Sequence, residues 1–138
     1  MTIQAQILGE VQKLVREQGT ALIWITHDLS VVAGLADDVA VMYAGRIVEQ
    51  GPVDAVLDQP LHPYTRGLID SLPSRNRRGE RLRQIPGMAP GLQALETGCA
   101  FAPRCTRATS ACAATPPTQR VAADRSVRCF HPGETHGQ

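Results

Sequence analysis

The sequence predicts an α/β fold that gives way to an irregular segment rich in proline and cysteine. Three observations carry this. Apolar residues before Pro60 alternate between helical and strand periodicity. Nine of the ten prolines lie at Pro60 or later. All four cysteines fall between Cys99 and Cys129. Charge divides in step: residues 1–70 hold 4 basic and 9 acidic side chains, whereas residues 71–138 hold 10 and 4. Coincident shifts of this kind mark a boundary. They place it around Gly51–Pro60, with 1–50 as a first domain and 51–138 as a second.

The elements follow in order. Ile3, Ile7, Val11, Leu14 and Val15 share one helical face, and Gly19 suits the C-cap. Thr20–Thr26 (Thr-Ala-Leu-Ile-Trp-Ile-Thr) is a mostly apolar, β-branched run that predicts a buried strand of a parallel sheet, with Trp24 in the core. Asp28 or Ser30 is placed to cap a short helix through Leu35. Val39–Tyr43 and Arg46–Gln50 read as strands joined by the tight turn Ala44-Gly45. Short helices are expected at Val53–Asp58 and Pro63–Leu72. Beyond Pro73 the chain carries the basic run Arg75-Asn-Arg-Arg78 and little regular pattern, so its order depends on a staple.

Composition excludes several functions. The net charge is only +1, which argues against a general nucleic-acid binder. An apolar share of 43% is too high for a disordered chain. No apolar run is long enough to cross a membrane, and the N-terminus lacks a secretory pattern, so the cytosol is the expected compartment. The only lysine, Lys13, follows Gln12, so no G-x-x-x-x-G-K-[ST] phosphate loop exists in these residues. No His-Glu-x-x-His pair or Ser/His/Asp set is evident either. On its own residues the chain is not expected to be a complete enzyme.

Two constellations remain. His27 follows the Thr20–Thr26 run, and open α/β sheets bind ligands beyond the carboxyl ends of their strands. An imidazole there could donate to a phosphate oxygen, or simply cap the next helix. Cys99, Cys105, Cys112 and Cys129 are separated by five, six and sixteen residues. Four thiolates complete a zinc tetrahedron or the corners of an iron–sulfur cube. The spacing matches neither the usual zinc pairs nor the bacterial ferredoxin run. Disulfides are disfavoured in the cytosol, and four unlinked thiols remain an alternative. Arg104, Arg107 and Arg128 bring positive charge near the thiolates. Tyr64 and His62 are read as setting a turn against Pro63, with packing on a partner subunit as the alternative, the arginines at 75–83 as a solvated face, and His131 as surplus to four cysteines.

The stretch Ile25–Val32 (Ile-Thr-His-Asp-Leu-Ser-Val-Val), followed by Ala36–Glu49, resembles the C-terminal part of an ABC transporter ATPase domain, a P-loop NTPase. Pro60–Ile69, with its His62-Pro63-Tyr64, is similar to the signature of oligopeptide and dipeptide importers. Ile85–Pro90, Gly98–Cys105, Cys112 and Val127–Cys129 continue the likeness. The resemblance implies a subunit that energises import of peptides, or sometimes nickel, by hydrolysing ATP with Mg²⁺ between two nucleotide-binding domains. It implies a switch-histidine role at the ATP γ-phosphate for His27. It further implies a [4Fe–4S] cluster on Cys99, Cys105, Cys112 and Cys129, ahead of zinc and of plain thiols. The partners implied are a second ATPase subunit, in a homo- or heterodimer packed partly through the C-terminal extension, and membrane-spanning permease subunits. A peptide-binding protein outside the membrane acts indirectly, and no nucleic acid is involved. The location implied is the cytoplasmic face of a bacterial or archaeal membrane.

The family's phosphate loop, glutamine loop, signature sequence and Walker B strand lie upstream of the match. Residues 2–8 resemble the helix after its D-loop. The chain is therefore expected to be a fragment, inactive alone and poorly soluble, because the 20–26 strand would lack neighbours. A non-catalytic iron–sulfur or zinc-binding interaction module, or a gene remnant, is the alternative.

Overall fold

The computed structural model describes residues 3–91 and 97–133. The chain forms two compact units, Met1–Ala36 and Asp37–Gln138. They part ahead of the composition shift at Gly51–Pro60. The physical reason is that the strand spanning residue 50 pairs on both sides within the second unit, so no division passes through it.

In the first unit, helix α1 spans Ile3–Gln18 and ends at Gly19, whose φ of +63° is the left-handed cap that glycine tolerates. Helix α2 spans Leu29–Leu35. Asp28 is its N-cap, and its carboxylate accepts the Ser30 N–H at 3.0 Å. These hydrogen bonds, chiefly from the Ser30 hydroxyl and N–H, hold the Asp28 carboxyl below its ordinary pKa. Gln12 on α1 donates to the Gly34 carbonyl at 2.9 Å and ties the two helices.

Residues 20–26 are not a strand. They run without regular structure and are exposed, with Ile23 at 88% and Ile25 at 94%. Trp24, expected in the core, is 40% exposed. The β-branched run has the composition of a buried strand, but no described residue pairs with it, and a lone segment gains nothing from extended order.

The second unit holds the sheet. Strand β1 (Asp38–Tyr43) and strand β2 (Arg46–Pro52) form a hairpin. Ala44 and Gly45 turn it with φ of +50° and +79°, the paired left-handed values that match strand twist. Helices α3 (Val53–Asp58) and α4 (Pro63–Asp70) follow. Strands β3 (Gln119–Ala122) and β4 (Arg125–Val127) complete a four-stranded sheet in the order β1-β2-β4-β3, antiparallel throughout. The α/β class thus holds, but the sheet is antiparallel, and the cysteine-bearing half supplies two of its strands.

The β1–β2 register slips between Val41 and Met42, leaving Val48 as the extra residue of a bulge. Val48 and its neighbour Glu49 are consequently both buried, against the strict alternation of a regular strand. Val48 joins Val41, Tyr43, Val56 and Phe101 in the main core, with Tyr64, Leu68, Ile85, Cys99 and Cys105 packed around it. Leu61, Val127 and Cys129 form a second buried cluster. The Ile85 side chain lies so close over Gly67 of α4 that a Cβ there would sit 2.6 Å from it. Among the described residues no helix is long and apolar enough to cross a membrane.

Candidate four-cysteine site

The site is built on β4, the N-terminus of α4, and two 3₁₀ turns, Ala102–Arg104 and Ser110–Ala113. Its foundation is a buried ion pair. Glu49 on β2, 1% exposed, accepts from Arg125 of β4 at 2.8 Å and from the Leu61 and His62 backbone N–H groups at 3.0 and 2.8 Å. Arg125 also donates to the Gln59 carbonyl. Buried charges persist only when satisfied in this way. The pair fixes where the chain enters α4, and so where His62 sits.

His62 caps α4. Its Nδ1 accepts the Tyr64 N–H at 3.0 Å, with Pro63 at the first helical position, where the missing N–H costs nothing. The turn expected at His62-Pro63-Tyr64 is therefore a helix start. Burial holds the His62 imidazole down at a pKa of about 4, against 6.5 when free.

The cysteines come together. Cys99, Cys105, Cys112 and Cys129 line one small cleft with His62, Phe101 and His131. The Cys99 N–H donates to the Cys112 carbonyl at 2.9 Å, which ties the first and third. Gly98 makes this approach possible. It lies at φ +107°, and a Cβ would meet the Ala113 carbonyl at 2.8 Å. The Arg107 N–H donates to Cys105 Sγ and the His131 N–H to Cys129 Sγ, each at 3.3 Å. Such N–H groups stabilise sulfur carrying negative charge. All four cysteines are free. Burial is the main force raising the Cys99 and Cys129 pKa values, with neighbouring thiols adding to it. Any metal must therefore displace protons. Among the described residues, no three His, Cys, Asp or Glu side chains are gathered so as to hold a metal ion.

Of the expected cationic neighbours, Arg107 lines the cleft. Arg128 lines an adjoining hollow beside Cys99 and His62. Arg104 turns instead to the Pro86 carbonyl, at 2.9 Å, and to the Phe101 ring. His131 Nε2 lies 2.6 Å from Thr109 Oγ1, which occupies it outside any ligand role. Arg77, Arg78, Arg81 and Arg83 are exposed, as a solvated face requires. His27 belongs to the other unit, exposed in the bend between residues 20–26 and the Asp28 cap.

The His62 shift sets a pH dependence. Above pH 6.5 the ring is neutral both folded and unfolded and contributes no slope. Between pH 6.5 and 4 the unfolded chain takes up a proton that the folded chain refuses. Stability should thus fall by about 3 kcal/mol across that window. Urea midpoints at pH 7 and 4.5 test this: the drop should be smaller in His62→Gln, which has nothing to titrate there.

Residues 48–112 match the family model described as oligopeptide/dipeptide transporter, C-terminal region. The chain is 54% identical over 137 residues to a putative peptide import ATP-binding protein of Brucella ovis, covering 94% of this chain and 40% of that protein. It is 46% identical over 134 residues to the oligopeptide transport ATP-binding protein OppD of Escherichia coli, covering 97% and 40%. The OppD protein of Haemophilus influenzae is 48% identical over 116 residues, 84% and 36%. The chain spans about 40% of the length of these first relatives.

Proposed function

We propose that the chain, whose residues 48–112 match the C-terminal region of oligopeptide/dipeptide transporters, is the C-terminal portion of an ATP-binding subunit driving peptide uptake. The observation that carries this is similarity over 94% or more of the chain to proteins named as peptide-import and oligopeptide-transport ATP-binding proteins. In this reading the unit 1–36 closes the nucleotide-binding domain. Its exposed Ile23 and Ile25 suit an edge that receives a neighbouring strand from the rest of that domain. His27 then stands at the end of that strand and contacts the ATP γ-phosphate, with Mg²⁺ held by the complete subunit. The subunit pairs with a second ATPase subunit and with membrane permeases at the cytoplasmic face.

The four-cysteine cleft is assigned a [4Fe–4S] cluster. Its support is the donor set: four thiols in one cleft, two backbone N–H groups on their sulfurs, and Arg107 to offset charge. A zinc ion held by the same four sulfurs is the alternative. The cluster, when bound, supplies a rigid crosslink between the two 3₁₀ turns and β4.

The test is ATP turnover by the polypeptide that carries this chain with its upstream sequence. His27→Ala should lower kcat about 100-fold or more while nucleotide binding is retained, the scale for losing one donor to developing charge. An unchanged kcat removes the role from His27. No turnover in a polypeptide that still binds iron and sulfide would turn the reading to a non-catalytic interaction module.

A further inference from the structure

His62 caps α4 with one ring nitrogen and leaves the other without a hydrogen-bond partner among the described residues. Because Nδ1 accepts the Tyr64 N–H, the neutral ring carries its proton on Nε2. The residue is 1% exposed, and Nε2 is buried with no hydrogen-bond partner among the described residues. A buried N–H left unmade costs about 1–3 kcal/mol, so such a donor is kept where something accepts from it. The ring lines the cleft of Cys99, Cys105, Cys112 and Cys129. It packs against Phe101, with ring centroids 5.8 Å apart and the planes tilted by 57°. The chemistry that answers an N–H among four thiols is anionic sulfur.

We infer that His62 is a positioning residue of this site, its Nε2–H donating a hydrogen bond to a sulfur of the group the four cysteines hold. This rests on the cluster reading above. A hydrogen bond to sulfur favours the more negative, reduced state of a cluster and raises its reduction potential. The capping role and the donor role sit on opposite nitrogens, so they can be separated. Asn at 62 keeps an oxygen for the Tyr64 N–H but is too short to reach the cleft.

The experiment uses the full polypeptide purified without oxygen and titrated with dithionite. First, iron and sulfide are measured on the wild type. Their absence overturns the cluster reading, and this proposal with it. With the cluster present, His62→Asn should lose about tenfold in its preference for the reduced state, a fall in midpoint potential of about 59 mV for one electron. A loaded His62→Asn chain at the wild-type potential overturns the proposal alone. If that variant fails to load, the wild type decides. With ¹⁵N-labelled histidine, the reduced protein should show a weak nitrogen hyperfine coupling that survives His131→Ala. No such coupling overturns the proposal.

Discussion

Replacing Glu49 by alanine is expected to destabilise the chain by about 3–5 kcal/mol, the range for breaking a buried ion pair from one side. The substitution removes an acceptor that serves three donors at once: the Arg125 guanidinium and the Leu61 and His62 N–H groups. It leaves a cation on β4 that is 6% exposed. Denaturant midpoints measure the loss. Glu49→Gln should cost less, because its amide oxygen still accepts from the two backbone groups. Pairing Glu49→Leu with Arg125→Met should recover much of the stability, since a buried pair is often replaceable by apolar groups of like volume. A Glu49→Ala midpoint equal to wild type would show that water reaches Arg125 and that the site does not hang on this pair.

On the proposed cluster reading, Cys112→Ser should abolish cluster binding. Cys112 is buried at 9%, and its carbonyl receives the Cys99 N–H. The exchange of sulfur for oxygen leaves that backbone bond intact while removing one corner ligand of four. Iron should fall from about four per chain to less than one. Thermal stability of the second unit should fall with it, because a ligand bound only by the folded state stabilises by mass action. Stripping iron from the wild type with a chelator should reproduce the variant's lower Tm. A Cys112→Ser chain that keeps its full iron and sulfide would place the proposed cluster on other ligands.

Much of this was legible in the sequence where structure is local. The α1 stripe and Gly19, the Asp28 cap, the Ala44-Gly45 turn and the bounds of α3 all announce themselves within a few residues. The 20–26 run failed for the converse reason: its composition is that of a strand, and strand order comes from neighbours, not from composition. Strands β3 and β4 were invisible because β3 is exposed at every position and β4 is three residues long. Their anchor, Glu49 with Arg125, joins positions 76 apart, and no periodicity reports it. The cysteines were legible as a set by their clustering in sequence, and all four line one cleft, but among the described residues no three are drawn together so as to hold a metal ion. His62 was read as part of a turn. Pro63 at a helix start does signal a capping residue before it, but nothing in the sequence tells which way the far side of the ring faces.

The same separation has a temporal side. Ribosomes add about 5–20 residues per second. Once Glu49 is made, Arg125 follows 76 positions later, an interval of roughly 4–15 s at that rate. Through that interval the β1–β2 hairpin exists with a carboxylate that has no cation and an outer edge that has no strand. The nascent chain therefore cannot settle its sheet until nearly the whole cysteine segment has been synthesised.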